Sequence, residues 1–223
     1  MGESIKRIVE PYQDSYSPNG IIGEKDACGV GFIANIKGIE SNWILKQSLK
    51  GLNCMEHRGG CGGDSDSGDG AGILCSIPWE YLEEEMNLIN KQKLERGLGM
   101  VFMPNKKEKI EECKTICDEE AEKLNVKETS WRTVPVNNEI LGPLAKANAP
   151  YISQWILYIN KKDHKDIERL LFQLRKKIEK KIRETFKNDV GDCEFYFASL
   201  SSQTVVYKGM VRSEILSEFY QDL

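Results

Sequence analysis

No apolar run in these 223 residues approaches the roughly 18 needed to cross a bilayer as a helix. No excess of positive charge exists either. The net charge of -4 and the pI near 5.5 remove the electrostatic case for nucleic acid or an anionic membrane as partner. CxxC pairs are missing, and seven cysteines at irregular spacing make neither a zinc site nor a disulfide framework. Reduced thiols in a cytoplasmic or organellar interior are expected. Residues 1–23 lack the apolar stretch of a secretory signal, and Glu3, Glu10 and Asp14 speak against a transit peptide. There is no internal repeat, no low-complexity tract, and no glycine-rich loop ending in Gly-Lys-Ser/Thr for a nucleotide phosphate.

What remains is ordinary globular composition, 40% hydrophobic and 30% charged, enough for one or at most two domains. Residues 1–27 are polar and broken by Pro11, Pro18 and Gly20, and read as a leader. Val30, Phe32 and Ala34 alternate, as in a strand. Ser41 suits the N-cap of a helix carrying Leu45, Leu49, Leu52 and Met55 on one face and stopping at Gly59. Strands are expected at 73–77, 99–103, 131–136 and 154–159, with a turn at Asn148-Ala149-Pro150. Residues 108–124 form an amphipathic helix through Ile110, Cys113, Cys117 and Ala121, the two cysteines filling core. Residues 166–186 form the strongest helix, with Ile167, Leu170, Leu171, Leu174, Ile178 and Ile182 inward and an outer face of interleaved Lys, Arg and Glu in solvent. Residues 195–200 and 204–207 read as a hairpin around Ser201-Ser202. The class is therefore α+β, in packed layers.

Chemistry concentrates in two places. One is Asp26-Ala27-Cys28-Gly29-Val30-Gly31-Phe32, a cysteine opening a strand. The other runs from Glu56-His57-Arg58-Gly59-Gly60 through the Gly/Asp-rich loop to Gly68-Asp69-Gly70-Ala71-Gly72. Were the chain cut before Cys28, the freed α-amine would stand beside the thiol, and one residue would supply both nucleophile and base. An inert structural cysteine is the alternative. Arg58 could orient that terminus or fix the loop through carbonyls. Asp64, Asp66 and Asp69 lack EF-hand spacing and its closing Glu, so self-capping turns are the better reading than a calcium loop.

These motifs, with Trp131-Arg132-Thr133-Val134-Pro135-Val136, Leu141-Gly142, Ala198 to Ser202, Thr204 to Met210 and Phe219 to Leu223, resemble the class II, N-terminal-nucleophile glutamine amidotransferase domain that opens the large chain of glutamate synthase. The resemblance covers residues 26–223. It implies a partial αββα sandwich, a leader of residues 1–27 that is removed, and an amidotransferase region from 28 to 223. Cys28 becomes the nucleophile, with Arg58 and Gly59 close to it, and His57 is set aside because such enzymes use the terminal amine as base. Glutamine becomes the substrate, and downstream synthase domains, or a separate chain carrying them, the partners.

No cofactor is implied within these residues; FMN and an iron-sulfur cluster belong to the synthase part. In the family an arginine for the substrate carboxylate, an Asn-Gly pair for the oxyanion and an Asp for the amine lie farther along. The sole Asn-Gly here is Asn19-Gly20, so residues 1–223 alone are expected to be inactive. A non-catalytic remnant or interaction module, and a different N-terminal-nucleophile amidohydrolase, are the other readings. A cytoplasmic address is expected, with a plastid as the second possibility.

Overall fold

The computed structural model describes residues 29–55, 67–68, 70–86, 94–160, 164–187 and 194–223. Thus Cys28, His57, Arg58, Gly59 and most of the Gly/Asp loop lie outside the described residues. The elements in chain order are α1 (Asn42–Asn53), β1 (Ala71–Ser76), α2 (Trp79–Glu85), β2 (Glu95–Met103), α3 (Lys107–Lys123), β3 (Glu128–Thr133), α4 (Pro143–Ala147), β4 (Tyr151–Ile159), α5 (His164–Thr185), β5 (Tyr196–Ser201), β6 (Thr204–Gly209) and α6 (Leu216–Phe219).

Two antiparallel sheets result. β3, β4, β2 and β5 lie in that order in the larger one, and β1 pairs with β6 in the smaller. The central strands of the larger sheet are buried on both faces, so β2 and β4 read as near-continuous apolar runs rather than alternating ones. One face carries Val101, Met103, Trp155, Leu157, Ile159 and Phe197 against the apolar stripes of α3 and α5. The other carries Leu98, Met100, Phe102, Ile152, Ile156 and Tyr158 against Val205 and Tyr207 of β6 and the inward residues of β1. Leu49 and Leu52 of α1 pack on this second core, and α1 contacts β1. Helices, sheet, sheet and helix thus follow one another, as in a partial αββα sandwich.

Each helix obeys its sequence. Ser41 accepts from the Ile44 amide as the N-cap of α1. All six expected inward residues of α5 are buried, and Cys113 and Cys117 of α3 are fully enclosed. Asp118 of α3 accepts from the indole N–H of Trp131 and of Trp155 and from the Thr129 hydroxyl, tying helix to sheet across the core boundary.

Two expectations need correction. Residues 29–35 form no strand, and Val30 and Phe32 stand 91% and 94% exposed. Alternation supplies two faces, but a strand also needs a ladder. β1 pairs only with β6 among the described strands, and nothing in its register reaches residues 29–35. Nor do β5 and β6 form a hairpin: β5 pairs with β2 and β6 with β1, so the chain changes sheets at Ser202-Gln203. A two-residue hairpin turn requires positive φ, which neither residue adopts. Instead the Ser199 hydroxyl accepts from the Val206 amide across the corner.

Candidate active site

The glycines at the end of the Gly/Asp loop are placed by close backbone approach. A Cβ on Gly68 would lie 2.6 Å from the Val211 carbonyl group and the Arg212 nitrogen, and one on Gly72 would lie 2.8 Å from the Lys208 Cβ and 2.9 Å from the Tyr207 oxygen. Gly70 adopts φ +133°, a conformation closed to most side chains. Ser67 beside them is buried, and its hydroxyl accepts from the Ala145 amide in the first turn of α4. The loop is therefore fastened at this end to the exit of β6 and to α4. At its other end, α1 runs into Cys54 and Met55, just before Glu56. Gly29, the residue after Cys28, packs there: a Cβ on it would lie 3.0 Å from the Met55 sulfur. The fold thus brings the residue following the expected nucleophile to within three positions in sequence of Arg58.

The fold also holds a cleft of about 730 Å³. One wall is the segment from Ile33 to Ser48, and the other is β1 at residues 73–76; Tyr81, Thr204, Tyr207 and Asp222 close its floor. Cys75 faces it but is a poor nucleophile. Burial pushes its thiol up to about 11, and the Glu40 carboxylate adds to the shift. Cys117, sealed within α3, is raised well above the ordinary thiol range by burial.

Under the floor is a polar network that sequence reasoning did not single out. Arg132 of β3 donates from Nη1 to Asp222 Oδ2 at 2.6 Å and to Gln154 Oε1 at 2.9 Å. Its Nη2 reaches the Tyr81 hydroxyl at 3.2 Å and Glu85 at 3.3 Å. Gln154 in turn donates to the Tyr207 hydroxyl at 3.3 Å. The Arg132 and Asp222 side chains are 6% and 1% exposed. Burial pushes the Tyr207 phenol up, and the Asp222 charge adds to it, so Tyr207 stays neutral. The Glu85 carboxyl is held below its usual range, first by the hydrogen bond from Tyr81 and then by the Arg132 charge. Through Arg132 the network ties Asp222 to β3 and, by way of Gln154, to β4. The available signal was Gln154 inside the largely apolar run of β4.

Among the described residues no group of three or more His, Cys, Asp and Glu could hold a metal ion, and no helix is long and apolar enough to cross a membrane.

Gly29 packed on Met55, and Gly68 and Gly72 packed on residues 207–212, are the described parts of the region that carries the cysteine and arginine motifs. The family model for class-II glutamine amidotransferases matches residues 28–223, and the chain belongs to that family. More particularly, it is similar to ferredoxin-dependent glutamate synthases. Glutamate synthase 1 of Arabidopsis thaliana, chloroplastic/mitochondrial, is 45% identical over 207 residues, 91% of this chain and 12% of the relative. The chloroplastic enzyme of Oryza sativa subsp. japonica is 44% identical over 218 residues, 96% of this chain and 13% of the relative. Synthase 2 of Synechocystis sp. is 44% identical over 209 residues, 91% and 13%. The chain thus spans about an eighth of the length of these relatives.

Proposed function

We propose that this chain is the glutaminase part of a glutamate synthase, releasing ammonia from glutamine for glutamate formation. The observation that carries the reading is the family match, which begins at Cys28 itself. The meeting of Gly29 with Met55 supports it, because the segment after the nucleophile and the Arg58 loop must converge for such a site. On this reading residues 1–27 are removed and residues 28–223 belong to the amidotransferase domain. The freed amine of Cys28 takes the thiol proton as sulfur attacks the carboxamide carbon of glutamine. The amine then gives that proton to the departing nitrogen, which leaves as ammonia. Water hydrolyses the resulting thioester to glutamate and regenerates the thiol. Arg58 and Gly59 hold the terminus and loop in place.

The relatives are named for ferredoxin dependence, so the parent enzyme would draw electrons from ferredoxin. FMN and an iron-sulfur cluster would sit in the synthase part, which the released ammonia must reach, as domains of one chain or as a second chain. The names of the plant relatives support a plastid address over a cytoplasmic one.

The test is to express the protein with its own leader, determine the mature N-terminus by mass spectrometry, and treat it with a glutamine-like diazo-ketone. A terminus at Cys28 and labelling of Cys28 ahead of Cys54, Cys61, Cys75, Cys113, Cys117 and Cys193 are expected. Cys28→Ala should fold normally and take up no label at the site. A retained Met1 or Gly2 terminus with another cysteine labelled first would instead favour a non-catalytic module with the same fold.

A further inference from the structure

The helical layer carries two charged ridges of opposite sign. On α3, Glu108, Glu112, Glu119 and Glu122 are all exposed, with Thr115 between them. They step by four, three, four and three residues along one line, opposite the buried line of Ile110, Cys113, Cys117 and Ala121. The helix holds seven carboxylates against four lysines. On α5, Arg169, Phe172, Lys176, Lys180 and Arg183 follow the same rhythm, all exposed, opposite the buried stripe. That helix holds eight Lys or Arg against four Asp or Glu. Phe172 stands 61% exposed in the middle of the basic ridge. The two helices cover the same face of the larger sheet and touch, Lys109 of α3 lying 5.8 Å from the centre of the Phe186 ring just beyond α5. Both ridges therefore point away from the sheet, side by side.

We propose that this face binds a second copy of the chain. An acidic ridge beside a basic one is self-complementary under one operation: a two-fold axis lying in the face, between the helices and along them. That rotation sets α3 of each copy over α5 of the other. A two-fold across the helices would instead set like over like. The paired ridges are about 25 Å long and, with helices about 10 Å apart, about 20 Å across, so roughly 1,000 Å² is buried in all. An area at the low end of specific interfaces, with mostly charged contacts, makes a weak, salt-sensitive dimer rather than an obligate one. The mixed signs and the overall charge of -4 favour a self-complementary partner over a polyanion.

Sedimentation velocity on the 223-residue chain at about 0.05 M and about 1 M salt, spanning one Debye-length regime to another, reads the association directly. A dimer at low salt and a monomer at high salt are expected. Glu112→Lys/Glu119→Lys and Lys176→Glu/Arg183→Glu should each keep the native circular dichroism and weaken self-association by about tenfold or more. Mixed in equal amounts, the two variants should dimerise with each other. A native chain that stays monomeric at low salt, a dimer that survives either reversal, or a mixture that stays monomeric overturns the proposal. Retention on heparin that depends on Lys176 and Arg183 without self-association would assign the basic ridge to a polyanion, and likewise overturns it.

Discussion

Replacing Arg132 by Met tests what holds residues 220–223 on the sheet. The guanidinium is 6% exposed and meets an Asp222 carboxylate that is 1% exposed. Among the described residues Arg132 Nη1 is the group that donates to Oδ2 of that carboxylate, and the second oxygen, Oδ1, is buried without a hydrogen bond. The substitution therefore strands a buried charge, for which the cost is about 3–5 kcal/mol. Removing the other partner is milder, because Arg132 keeps Gln154, Tyr81 and Glu85. Asp222→Asn retains an acceptor oxygen as well and should cost about 1 kcal/mol. The double variant Arg132→Met/Asp222→Leu removes both charges and should recover most of the loss. For a chain of this size the Arg132→Met cost corresponds to a fall in Tm of about 6–20 °C. Urea melts followed by circular dichroism, with thermal melts beside them, give both quantities. If Arg132→Met is no worse than Asp222→Asn, or if the double variant is worse than Arg132→Met, the pair does not work as the geometry implies.

Gly72→Ala should destabilise the β1–β6 pair by about 1–3 kcal/mol, since the new methyl meets the Tyr207 backbone oxygen at 2.9 Å as well as the Lys208 Cβ; a urea midpoint unchanged from the parent would refute the close approach. Cys75 titrates from near 9 when unfolded to about 11 when folded, so stability should fall as pH rises through that window, where the unfolded chain loses the proton first. Cys75→Ser should flatten that fall in melts taken from pH 8 to 11. In peptide mapping at pH 8, iodoacetamide should reach Cys75 more slowly than a thiol with ordinary acidity; equal rates would contradict its burial.

Much of this fold was legible because its signals are local. The period of Ile167, Leu171, Leu174, Ile178 and Ile182 specifies α5, and Ser41 marks the start of α1, without reference to anything distant. The misreadings concern partners. Residues 29–35 carry the pattern of a strand, but pairing is a property of the neighbour. Ser201-Ser202-Gln203 separates two apolar runs as a hairpin turn does, yet without a residue at positive φ the runs diverge into different sheets; the absence of Gly or Asn there was the clue. The Arg132–Asp222 bond joins residues 90 apart, and no window of sequence contains both. Of the site itself, Gly68, Gly70 and Gly72 now have steric reasons, while Cys28, Arg58 and Gly59 rest on their motif and the family match.

The corner at Ser202-Gln203 has a mechanical consequence. Two residues are too short a tether for one sheet to slide or swing relative to the other, so β1–β6 and the larger sheet should open and close as a single cooperative unit. Amide hydrogen exchange should then give β6 a protection close to that of β5. The wall that can yield is the opposite one. Residues 33–41 are exposed and held by little beyond the turn in which Gly38 and Lys37 bond back to Asn35. A molecule entering the cleft should therefore displace that wall rather than the floor, and exchange at residues 33–41 should be fast beside that of β6.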